Sequence, residues 1–226
     1  MRILALDTAL AAASACVFDG ASGEMLASET LPMNRGQDQA ILPLIDRVVR
    51  ASGQGSSTLD RVAVTVGPGS FTGIRIGISA ARAIGLALDA PVVGVSTLAA
   101  YAAPLVLEKS EGVVAAGIDA RHGRVFVAAF ASGQPVVAPR CCAPREAVRA
   151  MGAGPLWLTG PASPVLGLEA LAMGLEAEIV GNPSYPDIVY VARLGIAADP
   201  QIALARPSYL RSPDVKPPPA PVPGGR

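Results

Sequence analysis

The chain alternates short apolar runs with amphipathic stretches, and the two periods set out its elements. Ile3 to Leu6 is an unbroken apolar run ending at Asp7-Thr8, which predicts a buried strand; "SACVFDG" and "EMLASETL" follow, with Asp19-Gly20 marking the turn between them. In "QDQAILPLIDRVVRASG" the spacing of Ile41, Leu42, Ile45, Val48 and Val49 predicts one apolar helical face, stopping at Gly53. "RVAVTVG" predicts a strand, a helix is expected from about Thr72 to Leu88, "PVVGVS" predicts another strand and "TLAAYAAPLVLEK" another helix. The order then recurs. "GVVAAGIDA" and "RVFVAAFAS" predict a hairpin around "RHG", "PREAVRAMG" a helix, "LWLTG" a strand, "PVLGLEALAMG" a helix, "EAEIVG" a strand and "DIVYVARLGIAAD" a helix. Both halves are hairpin-led α/β units with a carboxylate, Asp7 or Asp119, at the end of the first strand, the trace of an internal duplication. From Ser212 to Arg226, six prolines and two glycines predict a tail without helix or ladder.

The junction "VTVGPGSFTGIRIG" has the look of a phosphate loop between strand and helix, but its spacings exclude the familiar ones. Gly67, Gly69 and Gly73 lie two and four apart with no Lys-Ser/Thr after them, so it is not a Walker loop. The third glycine of a dinucleotide fingerprint is replaced by Thr72, and Ser70 lacks the flanking glycines of a nucleophile elbow. Gly67 and Gly69 suit a sharp turn, and Ser70 or Thr72 suits a helix cap. Within the helix, Gly73, Gly77, Ala81 and Gly85 recur every four residues. A helical glycine costs about 1 kcal/mol relative to alanine, so this stripe predicts that something packs closely against it. A neighbouring strand of the same domain and a second subunit both satisfy that requirement, and Leu44, off the main apolar face of the earlier helix, would join a subunit contact.

Charge narrows the function. Eighteen acidic and eighteen basic residues cancel, so the chain as a whole has no field for holding nucleic acid, and along the sequence its arginines are scattered. Cys16, Cys141 and Cys142 make no disulfide framework, and with His122 the only histidine no metal site is expected. The apolar run before Asp7 is too short for a signal core or a membrane span, and the long apolar helix carries Arg75 and Arg82; a cytoplasmic chain with no membrane role is expected. Asp7 and Thr8 sit where sugar kinases and actin-like ATPases receive a metal-bound phosphate, but "ALAAAS" follows without a glycine. Turn capping is the plainer role for Asp7. Asp119, Arg121 and Arg124 suit turn chemistry, and Ser70 has no histidine within its own unit to serve as a base.

"ILALDTA", "VTVGPGSFTGIRIG", "VVGVSTLAAYA", "IDARHGRVF" and "PSYLR" occur in the order seen in the TsaB (YeaZ) family, which this chain resembles over nearly its whole length before the proline tail. The resemblance implies an α/β fold of two tandem ribonuclease-H-like lobes of the actin and sugar-kinase superfamily. Residues 1–105 would form an N-terminal partner-binding lobe, 106–200 a C-terminal lobe, 201–211 a closing segment and 212–226 a disordered tail. It also implies a non-catalytic scaffold that binds and activates the catalytic paralogue TsaD, in a complex completed by the ATPase TsaE. That complex transfers a threonylcarbamoyl group to the adenosine 3′ of the anticodon, with tRNA reached only through the complex. The expected interface is Ile41, Leu44, Gly69, Phe71, Gly73, Ile74, Gly77, Ile78, Ala81 and Gly85, with Gly77→Leu expected to block association without unfolding; alone, the chain is a candidate homodimer. No cofactor is expected on this chain by itself; an adenine nucleotide at the subunit interface is a candidate, with Asp7, Thr8 and Arg75 as its contacts. Two positions depart from the family pattern: Gln37 stands where a histidine is common, and His122 where an arginine is. The alternative is a nucleotide-binding kinase or ATPase of the same superfamily using Asp7 and Thr8.

Overall fold

The computed structural model describes residues 1–53 and 55–211; the expected proline-rich tail lies outside them. The first half gives strands β1 (Arg2–Asp7), β2 (Ala12–Asp19) and β3 (Glu24–Pro32), helix α1 (Gln37–Ala51), β4 (Arg61–Gly67), α2 (Phe71–Leu88), β5 (Val92–Ser96) and α3 (Thr97–Glu108). The second gives β6 (Val113–Asp119), β7 (Val125–Ala131), β8 (Gln134–Cys142), α4 (Pro144–Met151), β9 (Leu156–Thr159), α5 (Ser163–Ala172), β10 (Ala177–Ile179) and α6 (Ile188–Ala197). The sheets run β3-β2-β1-β4-β5 and β8-β7-β6-β9-β10, the same topology twice. In each, the first three strands form an antiparallel meander and the last two add in parallel. The duplicated two-lobe α/β fold is therefore present.

β8 was not foreseen from its sequence. Pro135 and Pro139 each remove a ladder donor, which disfavours a strand unless it lies at a sheet edge, and β8 is the edge.

Alternation along β1 divides the first lobe into two cores. Leu4 and Leu6, with Val62 and Val64 of β4, face α1 and α2; Ile3 and Ala5, with Ala63 and Val93, face Ile188, Val191 and Ala192 of α6. α2 has the length and hydropathy of a membrane span, yet its Ile74, Ile78 and Ala81 belong to the first of these cores.

The second sheet is covered in the same crossed manner. α4 and α5 pack on one face, and Leu98, Tyr101, Ala102 and Leu105 of α3 cover the other against Val114, Ala116 and Ile118. The helix that ends each half therefore packs on the other sheet. This corrects the expected boundaries: the cut at 105/106 falls inside α3, and 106–200 is no independent lobe because α6 completes the core of the first. α6 is seated by Gly195, where an added Cβ would press on Ala63 and Ile3, and by Arg61, whose Nη1 donates to the carbonyls of Gly195, Ile196 and Ala198 at 2.9, 3.1 and 2.8 Å.

Candidate docking face and interlobe cavity

The glycine junction is tied down by its own chain. Ser70 is the N-cap of α2, its Oγ accepting the Gly73 N–H at 3.3 Å, while the Ser70 N–H donates to the Ala9 carbonyl at 2.7 Å. Thr8 Oγ1 donates to the Gly73 carbonyl at 2.7 Å. A Cβ on Gly73 would collide with the Thr8 carbonyl, and one on Gly77 would lie 2.6 Å from Thr8 Oγ1 and 3.2 Å from Val64 Cγ2. Gly85 makes the same kind of approach to Val92 and Ala90. What presses against the glycine stripe is thus the end of β1 and the strands beside it.

Most of the expected interface is accordingly internal. Ile41, Leu44, Ile74, Ile78 and Ala81 lie in the first-lobe core, Gly73, Gly77 and Gly85 are buried, and Gly69 sits under the Ala9 carbonyl. Phe71 alone of that set is a surface residue, 37% exposed. Gly77→Leu would drive bulk into the β1–α2 contact rather than into a partner.

The opposite side of the same helix pair is open and apolar. Leu42 of α1 is 57% exposed and Leu86 of α2 is 86% exposed. Between the helices runs a groove of about 570 Å³, lined by Asp38, Leu42, Phe71, Thr72, Arg75, Ile76, Ser79 and Ala83 and reaching down to Ile41, of the expected interface, and Ala80. Too many apolar residues in α1 compete for one face. The i, i+3, i+4, i+7 set Ile41, Leu44, Ile45 and Val48 takes the core, which turns Leu42 outward.

A second cavity, about 630 Å³, lies between the lobes. Pro68 to Thr72, Gln37 and Leu10 form one wall, Ile118 to Arg121 and Phe126 the other, and Ser208 to Arg211 a third. This is where a nucleotide would be sought, and the candidate contacts are elsewhere. Asp7 is fully buried; its Oδ1 accepts the Thr65 hydroxyl and, at 3.0 Å, the Ala9 N–H, and its Oδ2 has no partner among the described residues. Burial raises the Asp7 pKa, against which the Thr65 and Ala9 hydrogen bonds act; burial, and after it the Asp7 charge, also pushes up the Tyr101 hydroxyl. Thr8 is committed to Gly73. Arg75 Nε donates to the Tyr209 hydroxyl at 2.9 Å, and its guanidinium lies 3.8 Å from the centre of the Phe71 ring, which stacks on Tyr209 at 5.0 Å. Asp7 and Thr8 thus fall outside the cavity, and Arg75 is held on its aromatic rim.

Gln37 gains a role that its residue type did not announce. Nearly buried, it donates from Nε2 to the carbonyls of Leu10 and Met33 at 3.4 and 3.3 Å, pinning the start of α1 to the β1–β2 turn. Asp119 accepts the Arg121 N–H at 2.8 Å, the expected turn chemistry. Among the described residues no three His, Cys, Asp or Glu side chains gather as a metal site.

Residues 32–155 match the family model "TsaD: tRNA N6-adenosine threonylcarbamoyltransferase". The tRNA threonylcarbamoyladenosine biosynthesis protein TsaB of Escherichia coli is 39% identical over 131 residues, 58% of this chain and 55% of that protein. The protein of the same name from Haemophilus influenzae is 30% identical over 208 residues, covering 86% of this chain and 84% of its own length. Among solved structures, YeaZ from Pseudomonas aeruginosa superposes with a TM-score of 0.72 at 26% identity, over 92% of this chain and 99% of that one.

Proposed function

This chain belongs to the TsaB (YeaZ) family of tRNA threonylcarbamoyladenosine biosynthesis proteins, and we propose that it is the family's non-catalytic scaffold, docking a TsaD-like subunit on the outer face of α1 and α2. The observation that carries this reading is the apolar groove between two helices whose opposite faces are locked into the core. A groove of this kind accepts the apolar ridge of a partner helix, and rigid backing by a packed sheet reduces the entropy lost on docking. Threonylcarbamoyl transfer to tRNA would then be the work of the TsaD-like subunit, with a TsaE-like ATPase completing the assembly in the cytoplasm. Left alone, the same face would pair two copies of this chain.

The kinase alternative gains no support from the geometry. Asp7 is shielded from solvent and already hydrogen-bonded, and Thr8 is committed to the α2 backbone. A nucleotide at the subunit interface would meet Phe71 and Thr72 from this side and draw its main phosphate contacts from the partner. The test is co-expression with the organism's own TsaD-like protein, followed by size-exclusion chromatography with light scattering at several concentrations. A one-to-one complex that replaces any homodimer is expected; two species that never co-elute, with this chain folded, would overturn the assignment.

A further inference from the structure

The closing segment of the described chain runs against the docking face. Tyr209 stacks on Phe71 with ring centres 5.0 Å apart, and its hydroxyl accepts the Arg75 Nε–H at 2.9 Å; Phe71 and Arg75 both line the α1–α2 groove. Residues 212–226 begin three positions later and read "SPDVKPPPAPVPGGR", with six prolines. A proline-rich stretch favours the polyproline II form, which makes no internal hydrogen bonds, loses little entropy on docking and is received by grooves with an aromatic wall. The groove has that wall in Phe71, and Leu42, Ile76 and Ala83 continue it with apolar surface. Toward the interlobe cavity, where Gln37 and Phe71 share a wall, the groove carries Asp38 and Arg75, which join no ion pair among the described residues. The tail carries the complementary charges in the matching place, Asp214 and Lys216 standing ahead of Pro217, Pro218 and Pro219. Reach is ample: residues 212–226 at about 3.1 Å each span roughly 45 Å, against roughly 18 Å of α2 from Phe71 to Ala83.

We propose that residues 212–226 lie along the α1–α2 groove in the free chain, with Lys216 at Asp38, Asp214 at Arg75 and the prolines and Val222 against Leu42 and Ile76. The tail is then a tethered competitor, and a TsaD-like subunit or a second copy docks only once it has left. The inference rests on the scaffold reading for this consequence, though not for the contact itself. A segment joined so closely to its groove acts at an effective concentration on the order of 1 mM, so a tail that binds in trans with a Kd of about 0.1 mM would weaken docking about tenfold.

The test titrates a fluorescein-labelled peptide of residues 212–226 with the full chain and with a chain stopped after Arg211, read by anisotropy. Every described core residue precedes Arg211, and melting curves verify that the shortened chain is folded. The peptide is expected to bind the shortened chain with a Kd on the order of 0.1 mM and the full chain about tenfold more weakly, because the tethered copy competes. Leu42→Asp in the shortened chain should weaken the peptide about tenfold. A peptide carrying Lys216→Glu should bind less well, and recover when the chain carries Asp38→Lys. The TsaD-like partner should bind the shortened chain about tenfold more tightly than the full one. A peptide that does not bind the folded shortened chain overturns the proposal, and equal self-association of the two chains would then give the groove to a second copy. Binding indifferent to Leu42→Asp and to the charge exchange also overturns it, and puts the peptide in the interlobe cavity or elsewhere. If the partner joins both chains with the same Kd, the tail inference falls and the scaffold reading stands. If the peptide behaves as expected and no partner joins either chain, the scaffold reading falls and the tail contact stands.

Discussion

Leu42→Asp separates docking from folding. Leu42 is 57% exposed, so docking can bury only the share still in contact with water. Full burial of a leucine stabilises by about 1.5–3 kcal/mol, so that share corresponds to about 1–2 kcal/mol. A carboxylate in its place would be desolvated without a partner, at a further cost of about 1–3 kcal/mol, and would stand between Asp38 and Asp46, four residues away on either side. The complex should weaken by about 2–5 kcal/mol, a factor of roughly 30 to 5,000 in Kd, measured by titration calorimetry. The free chain should lose less than about 1 kcal/mol, because Leu42 is outside the core. A Kd within threefold of the unaltered chain, with the melting curve intact, would refute α1 as the docking helix; loss of binding accompanied by unfolding would refute the separation of the two faces.

Four further outcomes follow from the packing. Gly77→Leu should destabilise the chain by more than about 3 kcal/mol, because its side chain must displace Thr8 and Val64; urea unfolding measures this, and a fully stable variant would contradict the β1–α2 contact. Arg61→Met should cost about 2–3 kcal/mol and expose α6 to proteolysis, since three carbonyls at the end of that helix lose their donor; a protease-resistant α6 would mean that its apolar face alone holds it. Asp7 has a raised folded-state pKa, so its contribution to stability is fully present below the ordinary carboxylate range and is lost as pH rises through the folded value. Asp7→Asn should flatten that dependence and be at least as stable as the unaltered chain at neutral pH, and identical pH–stability curves for the two would contradict the buried carboxylate. Cys16, buried and with its pKa pushed up to about 12, and Cys142, buried in the second core, should resist a thiol reagent that labels Cys141 in the folded chain; rapid labelling of all three would contradict their burial.

Much of the fold is legible because the strands are unambiguous. Ile3 to Leu6 and Val62 to Val64 are apolar on both faces, which requires helices on both sides of the sheet, and the repeated order of elements requires two such sheets. Which helix covers which sheet is not a local property. The stripe of Val191, Ala192 and Gly195 says that α6 is buried, but the groove that receives it is made in part by Ile3, Ala5 and Ala63, more than a hundred positions earlier. The glycine stripe of α2 has the same limit. Its spacing announces a close contact, whereas the Thr8 carbonyl that occupies the contact is a backbone atom that any residue would supply. The interface expected from the sequence lies on α1 and α2, and most of its residues face the core. Glycine marks where a backbone comes near, whereas the exposed apolar side chains are Leu42 and Leu86, which composition alone does not set apart.

The closing of the β1 end and the opening of the docking face are one arrangement. An anion site after β1 would need backbone amides turned outward and a carboxylate within reach. Here the Ala9 N–H is directed to Asp7, the Ala9 carbonyl accepts the N–H of Ser70, and the Thr8 hydroxyl is bound to Gly73. The second and third of these contacts also hold α2 on the strand end, and the glycines let it approach closely. A helix held so tightly on one side presents a fixed surface on the other. In the second unit the counterpart of Asp7 is Asp119, which remains exposed on the rim of the cavity. The two halves of the duplication have therefore diverged at the same point of the fold: one strand end is sealed against α2, and the other stays open to solvent.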